Sequence, residues 1–137
     1  MTALRLVVPF EPVAKGRPRF VKATGRAYTP PKTAVGEWQI RQAFLTMLDA
    51  PEPLVGPLRM TLRCFVRMPA SIPQYKRATA RPIARPDIDQ YVKTVLDALN
   101  GHAYPDDSAI VELNACKEYG VPPRWEITLE RLDGAML

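Results

Sequence analysis

The chain has 137 residues, of which 47% are hydrophobic, and 19 lysines and arginines against 14 aspartates and glutamates give it a net charge of +5. This length and apolar content suit one globular domain with a buried core, so we expect a single domain over residues 1–137. No stretch approaches the roughly 18 apolar residues of a membrane-spanning helix, and the start MTALRLVVPF has too short an apolar run for a secretory signal. The positive charge favours a polyanionic partner, although a basic protein without a nucleic-acid role also fits the charge alone.

The two cysteines, Cys64 and Cys116, each lie in an apolar segment without a CxxC spacing. Buried reduced thiols are the expected state. A cytosolic, reducing compartment is the expectation from these features.

The amino-terminal part predicts a strand, a basic loop and a helix. Residues 3–9 are rich in β-formers and end at a proline. Residues 10–32 show no convincing periodicity but carry many cations, which predicts a basic loop. Thr33 can cap a helix over residues 34–49. An imperfect apolar stripe follows in that helix, formed by Trp38, Ala43, Phe44 and Leu48.

The middle of the chain predicts a strand and a second basic loop. Residues 58–67 alternate well, which indicates a strand with one wetter face. The apolar face of this strand would carry Leu58, Met60, Leu62 and Cys64. Residues 68–85 contain prolines, lysines and arginines and are expected to form a mobile loop.

The next helix has the clearest pattern. Asp87 suits the N-cap position, Gln90 suits its capping-box partner, and Asn100-Gly101 ends the segment. Apolar residues recur at helical spacing between them at Ile88, Val92, Val95, Leu96 and Leu99. Residues 109–118 and 124–132 then alternate as two strands joined by the turn-forming YGVPP. The predicted order is β-α-β-α-β-β.

Four carboxylates and one lysine lie close to this helix in the sequence. Asp87 and Asp89 lie at its start, Lys93 lies one turn further on, and an Asp106-Asp107 pair follows it. Carboxylate oxygens are the ligands that Mg²⁺ prefers, together with substrate phosphate oxygens. Each feature also has an ordinary explanation as an N-cap, a solvated ion pair or a turn. Their combination favours a metal site.

The segment RPDIDQYVKTVLDALNG-HAYPDDSAIVE resembles the signature of the RusA-like Holliday junction resolvases, which are small phage and prophage endodeoxyribonucleases. The resemblance is dense over residues 85–117. It is looser elsewhere, although KGRPRF at 15–20 and AYTP at 27–30 also look like phage members of the family. It implies an α+β fold with a mixed four-stranded sheet and two main helices, and an Mg²⁺-dependent homodimer, Mn²⁺ being possible.

Carried over by position, the family's two-aspartate motif falls on Asp87 and Asp89, its lysine on Lys93 and its third essential aspartate on Asp107. Asp106 is a further candidate metal ligand. Gln90 stands where relatives commonly have asparagine, which preserves an amide.

Three other residues near the motif are open to more than one interpretation. Glu112 lies an odd number of positions after Asp107, so a regular strand would point it the other way. Lys117 is a candidate DNA contact, with a solvated strand face as the default. His102 is the only histidine, and a single loop histidine is more often a bystander.

The resulting hypothesis is an endonuclease in which Asp87, Asp89 and Asp107 hold one or two Mg²⁺ ions in a cleft at the helix start, giving a 5′-phosphate and a 3′-hydroxyl. Lys93 would stabilise the reacting phosphate. The expected DNA contacts are Lys15, Arg17, Arg19, Lys76, Arg77, Arg85 and Lys117. Two other functions fit less well. One is a non-catalytic branched-DNA-binding protein. The other is a hydrolase of small phosphate esters, but the sequence contains no Gly-rich phosphate loop for such a substrate.

Overall fold

A computed structural model of the chain describes residues 3–47 and 52–132. It shows a four-stranded mixed sheet, a small two-stranded hairpin and two α-helices, which confirms the predicted α+β fold. In chain order the elements are β1 (Ala3–Val8), β2 (Arg19–Phe20), β3 (Ala27–Tyr28), α1 (Pro31–Leu45), β4 (Leu58–Val66), α2 (Ile88–Leu99), β5 (Ile110–Tyr119) and β6 (Arg124–Arg131). The β2–β3 hairpin lies inside the predicted basic loop.

The main sheet has the strand order β1-β6-β4-β5. β6 pairs antiparallel with both β1 and β4, whereas β4 and β5 are parallel. A parallel pair needs a crossover connection, and here α2 supplies it. β5 therefore forms one edge of the sheet and β1 the other.

The core lies between the sheet and the two helices. In β4 the four residues predicted to face inward are all fully buried: Leu58, Met60, Leu62 and Cys64. The opposite face of the sheet is charged, as its alternation predicted. There Arg59 Nε lies 2.7 Å from Glu112 Oε2, and Arg63 Nη2 lies 2.8 Å from Glu118 Oε2.

The start of α2 lies against the end of β5, so the helix runs antiparallel to the strand. Lys117 Nζ, late in β5, donates to the carbonyl oxygens of Ala84 and Pro86, 3.1 and 3.0 Å away. At the other end, the Asp107 N–H donates to Asn100 Oδ1 over 3.1 Å. The 12 residues of α2 separate these two ends by about 18 Å.

The first helix differs from its prediction. α1 begins at Pro31 with Pro30 as N-cap, because proline fits the first helical position. Thr33 is therefore inside the helix. The predicted stripe is confirmed at Phe44, which is buried, and at Ala43, which packs against the core, but it was wrong at Trp38, which is 57% exposed. The buried face consists of Thr33, Gly36, Ile40 and Phe44. Leu48 lies outside the described residues.

The cysteines lie on adjacent strands and are both free thiols. Cys64 is buried, and burial raises the pKa of its thiol to about 12. Cys116 is only half-buried, because it lies on the outer face of the sheet. Among the described residues, no helix has both the length and the apolar character that crossing a bilayer requires.

Candidate metal and nucleic-acid site

The start of α2 presents Asp87 and Asp89 to solvent. The Asp87 N–H donates to Gln90 Oε1 over 3.3 Å, as the predicted capping box requires. Both aspartates are exposed. They lie where unpaired backbone N–H groups and the helix dipole favour negative charge, including the phosphate oxygens of a ligand.

A groove runs between the first turns of α2 and the segment Lys15–Pro18. Its volume is about 540 Å³, and it is lined by Lys15, Gly16, Arg17, Pro18, Asp89, Gln90 and Lys93. The Lys15 N–H donates to the Gln90 carbonyl over 2.9 Å, which ties the segment to the helix. The groove therefore brings the exposed Arg17 to the same surface as Asp89 and Lys93.

The segment is fastened to α1 as well. The Thr33 hydroxyl accepts from the Gly16 N–H over 3.0 Å and donates to the Ala14 carbonyl over 3.3 Å. This explains why a threonine suited to a helix cap is buried one turn further on. A built-in Cβ on Gly36 would lie 3.1 Å from the Val13 side chain, so a glycine here lets the segment approach α1 closely.

Lys93 pairs with Asp97 rather than with Asp89. Lys93 Nζ lies 3.1 Å from Asp97 Oδ1, and Lys15 Nζ lies 3.0 Å from Asp97 Oδ2. Lys15 Nζ also lies 2.8 Å from Glu37 Oε2 of α1. Asp97 was not singled out from the sequence, although its i+4 spacing from Lys93 is a signal for such a pair.

Glu37, Lys15, Asp97 and Lys93 form one network of ion pairs. Their contacts shift the pKa values of its two central members, Lys15 and Asp97. Burial by itself would raise the pKa of Asp97, but hydrogen bonds from Lys15 and Lys93 outweigh it and lower that pKa. Burial would likewise lower the pKa of Lys15, yet its bonds to Glu37 and Asp97 raise it. Both groups are therefore held in their charged forms.

The second pair of aspartates lies at the far end of α2. Asp106 Oδ2 accepts from the Ser108 N–H over 3.1 Å, and hydrogen bonds from the Ser108 side chain and backbone lower the Asp106 pKa. Asp107 opens a short 3₁₀ turn, Asp107–Ala109, that leads into β5. The fully buried Tyr104 braces this connection, its hydroxyl donating to the Leu96 carbonyl over 2.9 Å.

The single cleft expected at the helix start does not form within one chain. Because α2 is a rigid rod, Asp107 lies about 18 Å along its axis from Asp87. Across residues 3–47 and 52–132, no three histidine, cysteine or acidic side chains come together as a metal-binding group. The metal-binding role of the three aspartates stays a prediction.

The predicted DNA contacts divide by environment. Arg17, Arg19 and Arg85 are exposed, as is Lys76, whose ammonium lies 5.6 Å from the centre of the Tyr75 ring. Arg77 instead braces its own loop by donating to the Ile72 and Ala70 carbonyls.

The remaining candidates also have structural partners. The Lys15 and Lys117 ammonium groups have the contacts given above, and Glu112 is paired with Arg59 on the outer sheet face. His102 is half-buried in the turn after α2. The 3₁₀ turn Gln74–Lys76 interrupts the predicted loop over 68–85.

Comparison with known proteins agrees with the sequence motif. The profile of the family Endodeoxyribonuclease RusA matches residues 9–130. The chain is also 32% identical over 140 residues to the uncharacterized protein YqaN of Bacillus subtilis strain 168, with 96% of this chain and 99% of that protein covered.

Proposed function

Because the chain belongs to the RusA endodeoxyribonuclease family, we propose that it is a divalent-metal-dependent nuclease that resolves four-way DNA junctions by paired nicks. The observation that carries this proposal is the groove at the start of α2. There Asp89 and Lys93 face a segment that carries the exposed Arg17.

The donor set fits a hard cation. Asp87, Asp89 and Asp107 supply only carboxylate oxygens, which suit Mg²⁺ or Mn²⁺. None of the three forms an ion pair with another described residue, so no lysine or arginine neutralises them. When bound, the cation would act as a Lewis acid on the phosphate and its attacking water.

A symmetric dimer would complete the site that one chain leaves divided. We propose that the exposed edge of β5 is the dimer contact, since within residues 3–47 and 52–132 this strand pairs only with β4. Two of its apolar side chains are solvent-exposed, Val111 by 60% and Leu113 by 46%. An unpaired strand edge with exposed apolar residues is a template for pairing with a second chain.

The register of that contact follows from the positions of the two half-sites. Glu112 lies five positions after Asp107 and five before Lys117. In an antiparallel β5 pair centred on Glu112, Ile110 would oppose Asn114 of the partner subunit, and the 3₁₀ turn that carries Asp107 would continue toward Lys117 of the partner subunit. Since Lys117 lies against the start of α2, Asp107 would then lie beside the partner subunit's Asp87 and Asp89. Arg59 already neutralises Glu112 at the centre of this contact.

The protein's own groups would bind the DNA and stabilise the developing charge. The Lys93 ammonium would offset charge on the phosphate during in-line attack, and cleavage of the bond to the 3′ oxygen would leave a 5′-phosphate and a 3′-hydroxyl. Arg17, Arg19, Lys76 and Arg85 would hold the phosphate backbone without reading sequence.

The test compares labelled four-way junction, duplex and single-stranded DNA with and without Mg²⁺. Symmetric nicks in the junction that need the metal support the proposal. Asp89→Asn is expected to abolish cutting and to leave junction binding largely intact, because the basic surface is unchanged. Junction binding without cleavage by the unaltered protein would instead support a non-catalytic role.

A further inference from the structure

We propose that Asp97 is a positioning residue that holds Lys93 away from Asp89 and so keeps the Asp89 carboxylate free for the metal. This inference rests on the proposed function, because it takes Asp89 as a metal ligand. It concerns a side chain that lies outside the motif aspartates.

The choice between two carboxylates is built into α2. Asp89 and Asp97 lie four positions before and after Lys93, so both are within reach of its ammonium. On an isolated helix the pair with the acid on the amino-terminal side, Asp89–Lys93, is the better oriented of the two. The structure nevertheless places Lys93 Nζ 3.1 Å from Asp97 Oδ1.

Lys15 fixes Asp97 in the position that makes this choice. Lys15 Nζ lies 3.0 Å from Asp97 Oδ2, and its side chain is only 21% exposed between the two helices. Glu37 holds the same ammonium from α1 at 2.8 Å. Asp97 therefore has one oxygen bound to each lysine, and its own side chain is 26% exposed.

This arrangement gives Lys15 a different task from the one that its place in a basic loop suggested. Its ammonium points into the network rather than toward bulk solvent, so its charge is already offset by two carboxylates. Lys15 thus anchors the segment that carries Arg17. At this wall of the groove, Arg17 is then the residue that would contact phosphate.

Loss of the Asp97 charge would release Lys93 toward Asp89. The lysine would then compete with a divalent cation for the same carboxylate. Asp97→Asn is therefore expected to weaken Mn²⁺ binding about two- to fivefold, and the effect should require the lysine. In a Lys93→Met background, Asp97→Asn should change Mn²⁺ affinity by less than about 1.5-fold.

The experiment measures free Mn²⁺ by electron paramagnetic resonance during titration of the unaltered protein, the single variants and the double variant. Glu37→Gln is the matched control, because it removes one negative charge from the same network and leaves each oxygen of Asp97 paired with its lysine. It should leave Mn²⁺ affinity within about 1.5-fold of the unaltered protein. Circular dichroism checks folding, and Asp97→Ser replaces Asp97→Asn if that variant does not fold.

Three results would overturn the inference: unchanged Mn²⁺ affinity in Asp97→Asn, an equal loss in the Lys93→Met background, or an equal loss in Glu37→Gln. If the unaltered protein cleaves DNA and binds Mn²⁺, such a result refutes the role of Asp97 alone. If it neither binds Mn²⁺ nor cleaves any DNA, the proposed function fails together with this inference.

Discussion

Two variants that are each inactive are predicted to restore cleavage when their subunits are mixed. Asp89→Asn removes a carboxylate at the start of α2, and Asp107→Asn removes one beyond its end. These positions are separated by most of a 12-residue helix, about 18 Å, so one chain cannot bring both to one cation. In the proposed dimer each site takes Asp89 from one subunit and Asp107 from the other.

The expected recovery of activity follows from how the two substitutions are distributed between the two sites of a dimer. In a mixed dimer one site carries both substitutions, and the other carries neither. Random exchange of equal amounts makes about half of the dimers mixed, so about a quarter of all sites are intact. Since a mixed dimer has one working site, its product should be a junction with a single nick rather than two resolved duplexes.

The assay uses junction labelled on one strand at a time, after subunit exchange under mild denaturant and refolding, with products separated on denaturing gels. Mixing Asp87→Asn with Asp89→Asn is the control. Both lesions then affect the same half-site, so every site of a mixed dimer keeps one lesion and stays inactive. A mixture of Asp89→Asn and Asp107→Asn that stays inactive, although mass spectrometry of tagged subunits shows exchange, would refute the divided site.

Two further predictions concern the dimer contact and the connection between α2 and β5. Leu113→Glu should produce a folded monomer without nuclease activity in sedimentation and cleavage assays, because it places like charges on both copies of the proposed edge. Val121→Glu, at a 92% exposed position in the turn after β5, should leave the dimer intact, and a dimeric Leu113→Glu would exclude this edge. Tyr104→Phe should cost about 1 kcal/mol in urea unfolding, because it removes the bond to the Leu96 carbonyl, and an unchanged midpoint would contradict that reason.

Elements with strong local signals were predictable from the sequence. α2 has a cap, a capping-box partner, a regular apolar stripe and a terminating Asn100-Gly101, and it begins and ends where these place it. β4 follows from strict alternation. These signals act within a few residues, so they do not depend on the rest of the fold.

α1 was harder because its apolar residues do not all face the core. Trp38 is exposed, whereas Gly36 is buried against Val13, a residue of a segment that lacks regular structure. Tertiary packing decided which face of this helix is buried, and a single-helix pattern contains no information about that packing. The β2–β3 hairpin is only two residues long on each side, too short for an alternation signal.

The motif identified the residues of the site but not their separation. Asp87 and Asp107 are twenty positions apart, and that number alone allows them to touch or to lie at opposite ends of a rod. The intervening residues form α2, and the contacts of Lys117 and Asn100 fix which end meets which strand end. Asp97 and Lys15 were missed as partners for a related reason, because only the folded amino-terminal segment brings them together.

An active site divided between two subunits would also make dimer formation a condition for DNA cleavage. Each end of α2 holds too few carboxylates for a tight Mg²⁺ site. A monomer could therefore bind DNA through its basic surface without cleaving it. The same two-fold axis that completes one site completes the other. With Glu112 at the axis and Lys117 five strand positions away from it, the Lys117 positions of the two subunits, and the sites beside them, would lie about 33 Å apart. That span is close to one helical turn of B-DNA, about 34 Å, so cutting by both sites at once would require two target phosphates about one turn apart, on one duplex or on two arms of a branched substrate.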